Sequence, residues 1–309
     1  MAEGRDEPAV VLLTVTYQSA GFIDDWAQSV RALEYPRLRV IVVDSASSDG
    51  TAERVRHLLP DAEVIAGDEN FGFARGNNIG LERALAGPCD FVLFMNSDAV
   101  ATPGALRPLI AAADQRTVVV PKILWYFDHR IVSTHAGGFD WTLGLFRDTF
   151  HGKPDGPASS VPRELETASF CCALVPRSLF EEVGRFDETF FMYYEETDLL
   201  KRARERGFRI RYVPEAVVYH RESGSSGGGW MTPFKLYYAT RNRLYLVRKH
   251  QRSRWRYAWF TLYFWATRVP QSLRFALRRE WTLLRAMWLG VADYYRGRMG
   301  RTYEVRDFV

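Results

Sequence analysis

Two apolar stretches in this chain each run directly into a carboxylate. Phe91-Val92-Leu93-Phe94-Met95 leads into Asn96-Ser97-Asp98, and Arg39-Val40-Ile41-Val42-Val43 leads into Asp44-Ser45-Ala46-Ser47-Ser48-Asp49-Gly50. Continuous apolar runs of this length predict strands buried on both faces, as in a parallel sheet with helices packed on either side. In such sheets ligands bind in the crevice beyond the carboxyl ends of the strands. Two carboxylates delivered to one crevice imply a site for a divalent metal and a polar, phosphorylated ligand.

The rest of the first hundred residues fits that layout. A strand over Val10–Val15 ends at Thr16-Tyr17-Gln18-Ser19, and a helix is predicted over Asp24–Leu33. The strand at Arg39–Val43 precedes a helix over Thr51–Leu59, capped by Ser48 or Asp49. A short strand at Glu63-Val64-Ile65 follows, then a helix entered through Asn70-Phe71-Gly72-Phe73-Ala74-Arg75-Gly76-Asn77-Asn78. Strands alternating with helices of about a dozen residues indicate βαβ units with right-handed crossovers.

Beyond Asp98 the pattern loosens. Val118–Leu124 and Ala168–Val175 read as strands, and His135–Phe150 as turns and hairpins. His151–Val161 reads as an exposed loop. A helix over Asp198–Arg206 ends at Gly207, with short strands at Ile210–Val213 and Ala216–Tyr219. The expected fold class is α/β: a mixed, mostly parallel, Rossmann-like sheet with helices on both faces, then a helical C-terminal segment. The Gly- and Ser-rich run Ser223–Gly229 divides the chain into residues 1–229 and 230–309.

Charge sharpens that division. Residues 230–309 hold 17 Lys and Arg against 4 Asp and Glu, whereas the first 229 hold 24 against 33. The same tail contains six of the nine tryptophans. Basic residues interleaved with large aromatics suit an anionic membrane surface. Nucleic acid is the competing partner for such charge, and aromatics packing onto the α/β part is the structural alternative. Neither Tyr257–Thr267 nor Trp281–Tyr295 offers the ~20 uninterrupted apolar residues of a spanning helix, so amphipathic helices lying on a bilayer are expected. The polar start of the chain predicts no secretory leader. Three cysteines, with Cys171 and Cys172 adjacent, give neither a disulfide framework nor a zinc spacing, which fits a reducing cytosol.

Five motifs occur together and in order: Val15-Thr16-Tyr17; Val42-Val43-Asp44 through Thr51; Asn70 through Asn77; Asn96-Ser97-Asp98; and Phe191-Met192-Tyr193-Tyr194-Glu195-Glu196-Thr197-Asp198. Residues 10–250 resemble the family 2 glycosyltransferases of GT-A fold, and within them the bacterial rhamnosyltransferases that build surface polysaccharides. The resemblance implies that Thr16, Tyr17 and Asp44 hold the base and ribose of a nucleotide-sugar donor. It implies that Asn70, Gly72, Arg75 and Asn77 line the nucleotide and sugar pocket.

Asn96-Ser97-Asp98 occupies the place of the family's Asp-any-Asp motif, with Asn where the first Asp is usual. Asp98 is then the one carboxylate of that motif on Mg2+ or Mn2+, and His220 stands where an imidazole can join it. Glu195-Glu196 resembles the segment that supplies the catalytic base, with Glu196 in the place of the usual Asp and Glu195 as the alternative base. Asp198 can hold the start of its helix. Cys172 and Tyr194 fall at the implied acceptor site. Tyr237, Tyr238, Arg241, Asn242 and Arg243 resemble a Tyr-Tyr…Arg-Asn segment that reaches donor or acceptor phosphates, or else forms ordinary helix surface.

The activity so implied is inverting, metal-dependent transfer of a sugar, L-rhamnose from dTDP-L-rhamnose or another sugar from a UDP donor. The acceptor is a saccharide on a polyprenyl diphosphate, met by a cytoplasmic enzyme at the inner face of the plasma membrane. Two other functions share some of the features. A nucleotidyltransferase would also use strand-end carboxylates, but the first strand lacks the Gly-rich basic loop that holds a triphosphate. A nucleic-acid-binding protein would use the basic tail but leave Asp44, Asp98 and Glu196 idle, so no nucleic-acid partner is expected.

Overall fold

The computed structural model describes residues 7–133, 136–148, 150–222 and 231–308. The run Ser223–Gly229 lies outside the described residues. The first half alternates as β1 (Val10–Thr16), α1 (Ile23–Arg31), β2 (Leu38–Asp44), α2 (Thr51–Leu58), β3 (Glu63–Ala66), α3 (Gly72–Leu85) and β4 (Phe91–Met95). β1 pairs in parallel with both β2 and β4, and β2 with β3. Thr16 sits opposite Asp44 at the end of that register, so the sheet delivers both to one edge.

Successive residues of β1 serve opposite faces, as the strand period requires. Val11 and Leu13 join a core with Ala74 and Leu81 of α3, while Val10 and Leu12 join another with Trp26 of α1 and Val55 of α2. These two cores account for the unbroken apolar runs in the sequence.

The second half adds β5 (Ala99–Ala101), α4 (Leu106–Ala112), β6 (Thr117–Trp125), β7 (Asp128–Val132), β8 (Ala136–Asp140), β9 (Leu145–Asp148), β10 (Arg163–Glu164), β11 (Thr167–Ala168), β12 (Cys172–Pro176), α5 (Arg177–Val183), α6 (Glu195–Glu205) and β13 (Arg209–His220). The main sheet runs β10-β13-β6-β12-β4-β1-β2-β3, with β5 on β13 and β7 on β6. β12 is antiparallel to β4 and β6, which makes the sheet mixed. Strands β11, β8 and β9 form a separate small sheet.

Three local expectations are refined. The strands expected at 210–213 and 216–219 are one strand, β13, whose register against β6 shifts between Val213 and Val217. The segment 151–161 is largely exposed, as expected, but holds a 3-10 turn (Pro157–Ser160) and is anchored where Lys122 donates to Asp155 Oδ1 (2.9 Å) and Ser160 Oγ (2.9 Å), with Ser159 buried. At α2 the N-cap position is Gly50, while Asp49 Oδ1 accepts from the Thr51 amide at 3.1 Å.

The C-terminal segment is three helices: α7 (Pro233–His250), α8 (Arg254–Leu277) and α9 (Trp281–Tyr295). Thr232 Oγ1 accepts from the Lys235 amide (3.2 Å), with Pro233 as the first helical residue, a favourable start for α7. Phe260 and Phe264 of α8 pack with Leu244 and Val247 of α7 and with Phe139 and Phe190 of the preceding part. Most of the tail's aromatics are therefore internal packing. The outward face of α8 is apolar as well: Trp255, Trp259, Leu262, Val269, Leu273 and Leu277 recur every three to seven residues and are exposed, Trp255 at 87%. Among the described residues, no helix is long and apolar enough to cross a membrane.

Candidate active site

A cavity of about 1110 Å3 opens at the carboxyl ends of the strands. Thr16 and Tyr17 reach it from the end of β1, and Asn96, Ser97 and Asp98 from the end of β4. Tyr194, Glu195 and Glu196 reach it from the start of α6, and His220 from the end of β13. Asn70 and Gly72 line it from the entrance to α3. Strand ends far apart in sequence converge here because the parallel register aligns them.

Asp98 and His220 form one pair, with His220 Nε2 3.2 Å from Asp98 Oδ1. Burial opposes charge on the His220 ring, but Cys171 and Asp98 outweigh it and hold the imidazole well above its usual range. The Cys171 thiol is itself pushed up by burial, so the Asp98 carboxylate is the partner that counts. A carboxylate and an imidazole side by side are a suitable donor set for a divalent cation. Among the described residues, no group of three or more His, Cys, Asp or Glu is placed to hold an ion. Asp98 and His220 are the residues of the cavity that would hold such a cation.

Glu195 and Glu196 form the second pair. Glu195 is 3% exposed, and burial, then the charge of Glu196, push its carboxyl well above the usual range. Its Oε2 has no hydrogen-bond partner among the described residues. Glu196 is only half-buried and lines the same cavity. Burial and the neighbouring Glu196 carboxylate both favour the protonated form of Glu195, while Glu196 is the more exposed of the two.

The backbone that presents this pair is strained. Phe191, Tyr193 and Tyr194 have φ of 65°, 69° and 77°, a region that side-chain-bearing residues rarely occupy. Such strain persists only where surroundings over-determine it, and it clusters at active sites. Here Asn242 Nδ2 donates to the carbonyls of Phe190 (2.9 Å), Met192 (2.7 Å) and Tyr193 (3.1 Å). Arg241 Nη2 adds a bond to Phe190 O at 3.1 Å. On the other side, the amides of Phe73 and Ala74 donate to Phe191 O at 2.9 and 3.3 Å. Gly72, at φ 67°, lies so close that a Cβ there would fall 2.4 Å from the Phe191 ring. The glycine in this motif is thus required by the turn that carries the carboxylates.

Asp198 ties the far side of α6 to α7. It is fully buried, accepts from His250 Nε2 (2.8 Å) and Arg202 Nε (2.9 Å), and pairs with Lys249 Nζ (2.6 Å). Burial raises its pKa, but these three partners together bring it down to about 2.

Five expected site residues do not line the cavity. Asp44 is 2% exposed, and its carboxylate accepts from Thr16 Oγ1 (2.6 Å), Ser47 Oγ (2.7 Å) and the Ser47 amide (2.9 Å). It braces the turn beneath the cavity, while its neighbour Ser45 faces in. Arg75 pairs with Glu69 at 2.6 Å and lies over the Phe71 ring. Asn77 is buried and donates to Phe73 O at 2.9 Å. Cys172 is buried in register with Met95, so Cys171 takes the cavity-lining place. Arg241 is fully buried and donates to Gly300 O (2.8 Å) and Thr302 Oγ1 (2.6 Å) as well as Phe190 O, so it supports the turn and reaches no ligand.

Lys235, absent from the expected set, lines the cavity from the first turn of α7. Burial lowers its pKa, against the pull of Glu222 and Asp98. Its only sequence signal is that it is the first basic residue after the Gly-rich run.

The sequence profile of Glycosyl transferase family 2 matches residues 12–184, more than half of the chain. The chain belongs to glycosyl transferase family 2. It is a glycosyltransferase, and the matched span carries the β1, β2 and β4 strand ends. The family 2 relative N-acetylglucosaminyl-diphospho-decaprenol L-rhamnosyltransferase of Mycobacterium tuberculosis is 27% identical over 242 residues, 70% of this chain and 77% of that one. The mannosyltransferase PcManGT from Pyrobaculum calidifontis, in complex with GDP-Man and Mn2+, superposes with TM-score 0.56 at 17% identity, over 94% of this chain and 88% of that one. GalNAc-T7 with UDP, GalNAc and Mn2+ superposes with TM-score 0.55 at 14% identity, over 78% of this chain and only 51% of that one. These superpositions establish the GT-A fold.

Proposed function

We propose that this family 2 enzyme is an inverting, divalent-cation-dependent rhamnosyltransferase. In this reading it moves L-rhamnose from dTDP-L-rhamnose to a saccharide on a polyprenyl diphosphate, working at the cytoplasmic membrane surface. The observation that carries it is the meeting of the Asp98–His220 and Glu195–Glu196 pairs in one cavity. The lipid-linked acceptor and the sugar rest on likeness to the mycobacterial rhamnosyltransferase.

The nucleotide lies along the strand ends, against Thr16, Tyr17 and Asn70, with its diphosphate directed to Asp98. Asp98 and His220 would hold Mg2+ or Mn2+, which would supply positive charge for the departing diphosphate. Lys235 lies on the same side and adds a cation toward that leaving group. Glu196 takes the proton of the acceptor hydroxyl as that oxygen bonds to C1 of the sugar. The bond from C1 to the diphosphate oxygen breaks as the new one forms, and the nucleoside diphosphate leaves. A single displacement inverts the anomeric centre, through charge development like that of glycoside hydrolysis. Glu195, protonated, keeps the pair at one negative charge and leaves Glu196 as the base.

The outward stripe of α8 seats the protein on the membrane, its tryptophans at headgroup level and neighbouring arginines on anionic phosphates. A panel of nucleotide sugars, read by released nucleoside diphosphate with Mg2+, Mn2+ or chelator, tests this reading. Release from dTDP-L-rhamnose only with metal and acceptor is expected. Preference for a UDP-sugar would reassign the donor, and undiminished turnover in chelator would remove the metal.

A further inference from the structure

Two arginines near the catalytic turn, one buried and one half-buried, have no counter-charge among the described residues. Arg243 of α7 is 7% exposed, and its one hydrogen bond among the described residues runs from Nη2 to Leu143 O at 2.6 Å. Arg268 of α8 is half-buried, and its Nε, like that of Arg243, has no partner among the described residues. Both guanidiniums lie against the same ring, 5.7 and 5.1 Å from the centroid of Phe264. Burial lowers the pKa of both, and the charge of Arg243 helps bring Arg268 down to about 10, so both remain cations at neutral pH. The groups that favour their charge are the phenol oxygens of Tyr194 and Tyr263, and among the described residues no carboxylate pairs with either arginine.

Buried charges are ordinarily paired, since an uncompensated one costs several kcal/mol. Two like charges beside each other are worse, unless an anion completes the site. Tyr194 connects this pair to the chemistry: it lines the catalytic cavity and feels Arg243, Glu196 and Arg268 together. Arg268 also comes from α8, on the face opposite the exposed stripe, so it is carried by the helix assigned to the membrane.

We propose that Arg243, Arg268 and Tyr194 form the binding site for the diphosphate of the lipid-linked acceptor. This rests on the functional reading above and adds to it the residues that recognise the acceptor's charged group. Planar guanidinium forks match phosphate oxygens, and Tyr194 adds a phenolic donor. Holding the diphosphate two residues from Glu196 would fix the first sugar of the acceptor at the cavity, with the hydroxyl turned to the base.

The test uses the full chain in chelator, so that no metal brings phosphate to Asp98. Titration calorimetry and thermal shift are run with inorganic pyrophosphate, geranyl diphosphate and phosphatidylglycerol vesicles, on wild type, Arg268→Gln and Arg268→Lys. The expected result is that geranyl diphosphate binds wild type and raises its melting temperature. Arg268→Gln should weaken that binding roughly ten- to a hundredfold, the weight of a charge-assisted hydrogen bond, and Arg268→Lys less. Ligand-free Arg268→Gln should melt no lower than wild type, because it removes a buried repulsion; a purely structural arginine would lower it. In turnover assays, the variant's loss with a diphosphate-linked acceptor should exceed its loss with a phosphate-free glycoside by about tenfold or more. Equal losses with both acceptors, unchanged geranyl diphosphate binding, or weakening seen only with phosphatidylglycerol would overturn the proposal. Absence of all turnover alongside Arg268-dependent diphosphate binding would overturn the transferase reading and leave the site standing.

Discussion

Asn242 Nδ2 stands 2.7 Å from the carbonyl oxygen of Met192, the closest of three bonds that hold the strained turn ahead of Glu195 and Glu196. Its orientation is fixed from behind, because Asn242 Oδ1 accepts from Arg241 Nε at 3.0 Å. A segment expected either to touch phosphates or to form ordinary helix surface instead braces the backbone that carries Glu195 and Glu196. Asn242→Asp keeps the shape but replaces the donor with an acceptor facing three carbonyls. It should cost about 1–3 kcal/mol of stability and lower kcat by at least about tenfold, with less change in donor KM. Denaturant unfolding and steady-state kinetics measure both; wild-type kcat in a folded variant would show that the turn does not depend on this residue.

Asp98→Ala should abolish metal-dependent turnover and the metal-dependent part of donor affinity. His220→Ala should weaken apparent metal affinity roughly ten- to a hundredfold while retaining activity at high metal. Titrating Mn2+ against nucleoside diphosphate release separates the two. Identical metal dependence in His220→Ala and wild type would restrict His220 to positioning Asp98.

Glu195 predicts a pH signature in stability. Its folded pKa is raised above the ordinary glutamate value of 4.5 by burial and by Glu196. Below pH 4.5 both folded and unfolded chains hold this proton, and the residue costs nothing. As pH rises past 4.5 the unfolded chain releases the proton first, so stability falls until the folded group also titrates. Glu195→Gln removes that slope and should be more stable than wild type at pH 7.5, with the gap closing toward pH 4.5. Urea melts at the two pH values measure it; a variant less stable by the same amount at both would contradict the assignment.

The stripe on α8 predicts vesicle binding that does not depend on the fold. Trp255→Glu, Leu262→Glu and Leu273→Glu together alter only exposed positions, so melting should change by less than about 1 kcal/mol equivalent. Co-sedimentation with anionic vesicles should drop by at least about tenfold. Deleting the tail would be a poorer test, since Phe260 and Phe264 are core residues. Undiminished sedimentation would assign the stripe to a different partner.

Much of the fold was legible because buried parallel strands leave an unmistakable apolar pattern. Phe91–Met95 was bounded correctly from sequence, and β1 and β2 within a residue at each end. Strand-end residues such as Thr16 and Asp98 were legible for the same reason: the sheet's register puts them at one edge. What sequence reading misplaced depends on side-chain partners. Asp44, Arg75 and Arg241 carry groups that suit a ligand, yet each is held by neighbours only the folded chain supplies: Thr16 and Ser47, Glu69, and Phe190 with Gly300. Lys235, Arg243 and Arg268 were misjudged or missed because their burial follows from how α7 and α8 pack, and no local pattern encodes that. The tail's aromatics looked uniform in sequence; three-dimensional packing divides them into an inner core and an outer stripe.

The most direct test of the account is Glu196→Gln, compared with wild type for donor binding and for transfer to a diphosphate-linked acceptor, with the product anomer assigned by NMR. The account predicts donor affinity within about threefold of wild type, transfer lowered by at least about a thousandfold, and inverted configuration in the wild-type product. Transfer at wild-type rates by Glu196→Gln, or a product that retains the donor's configuration, would contradict it.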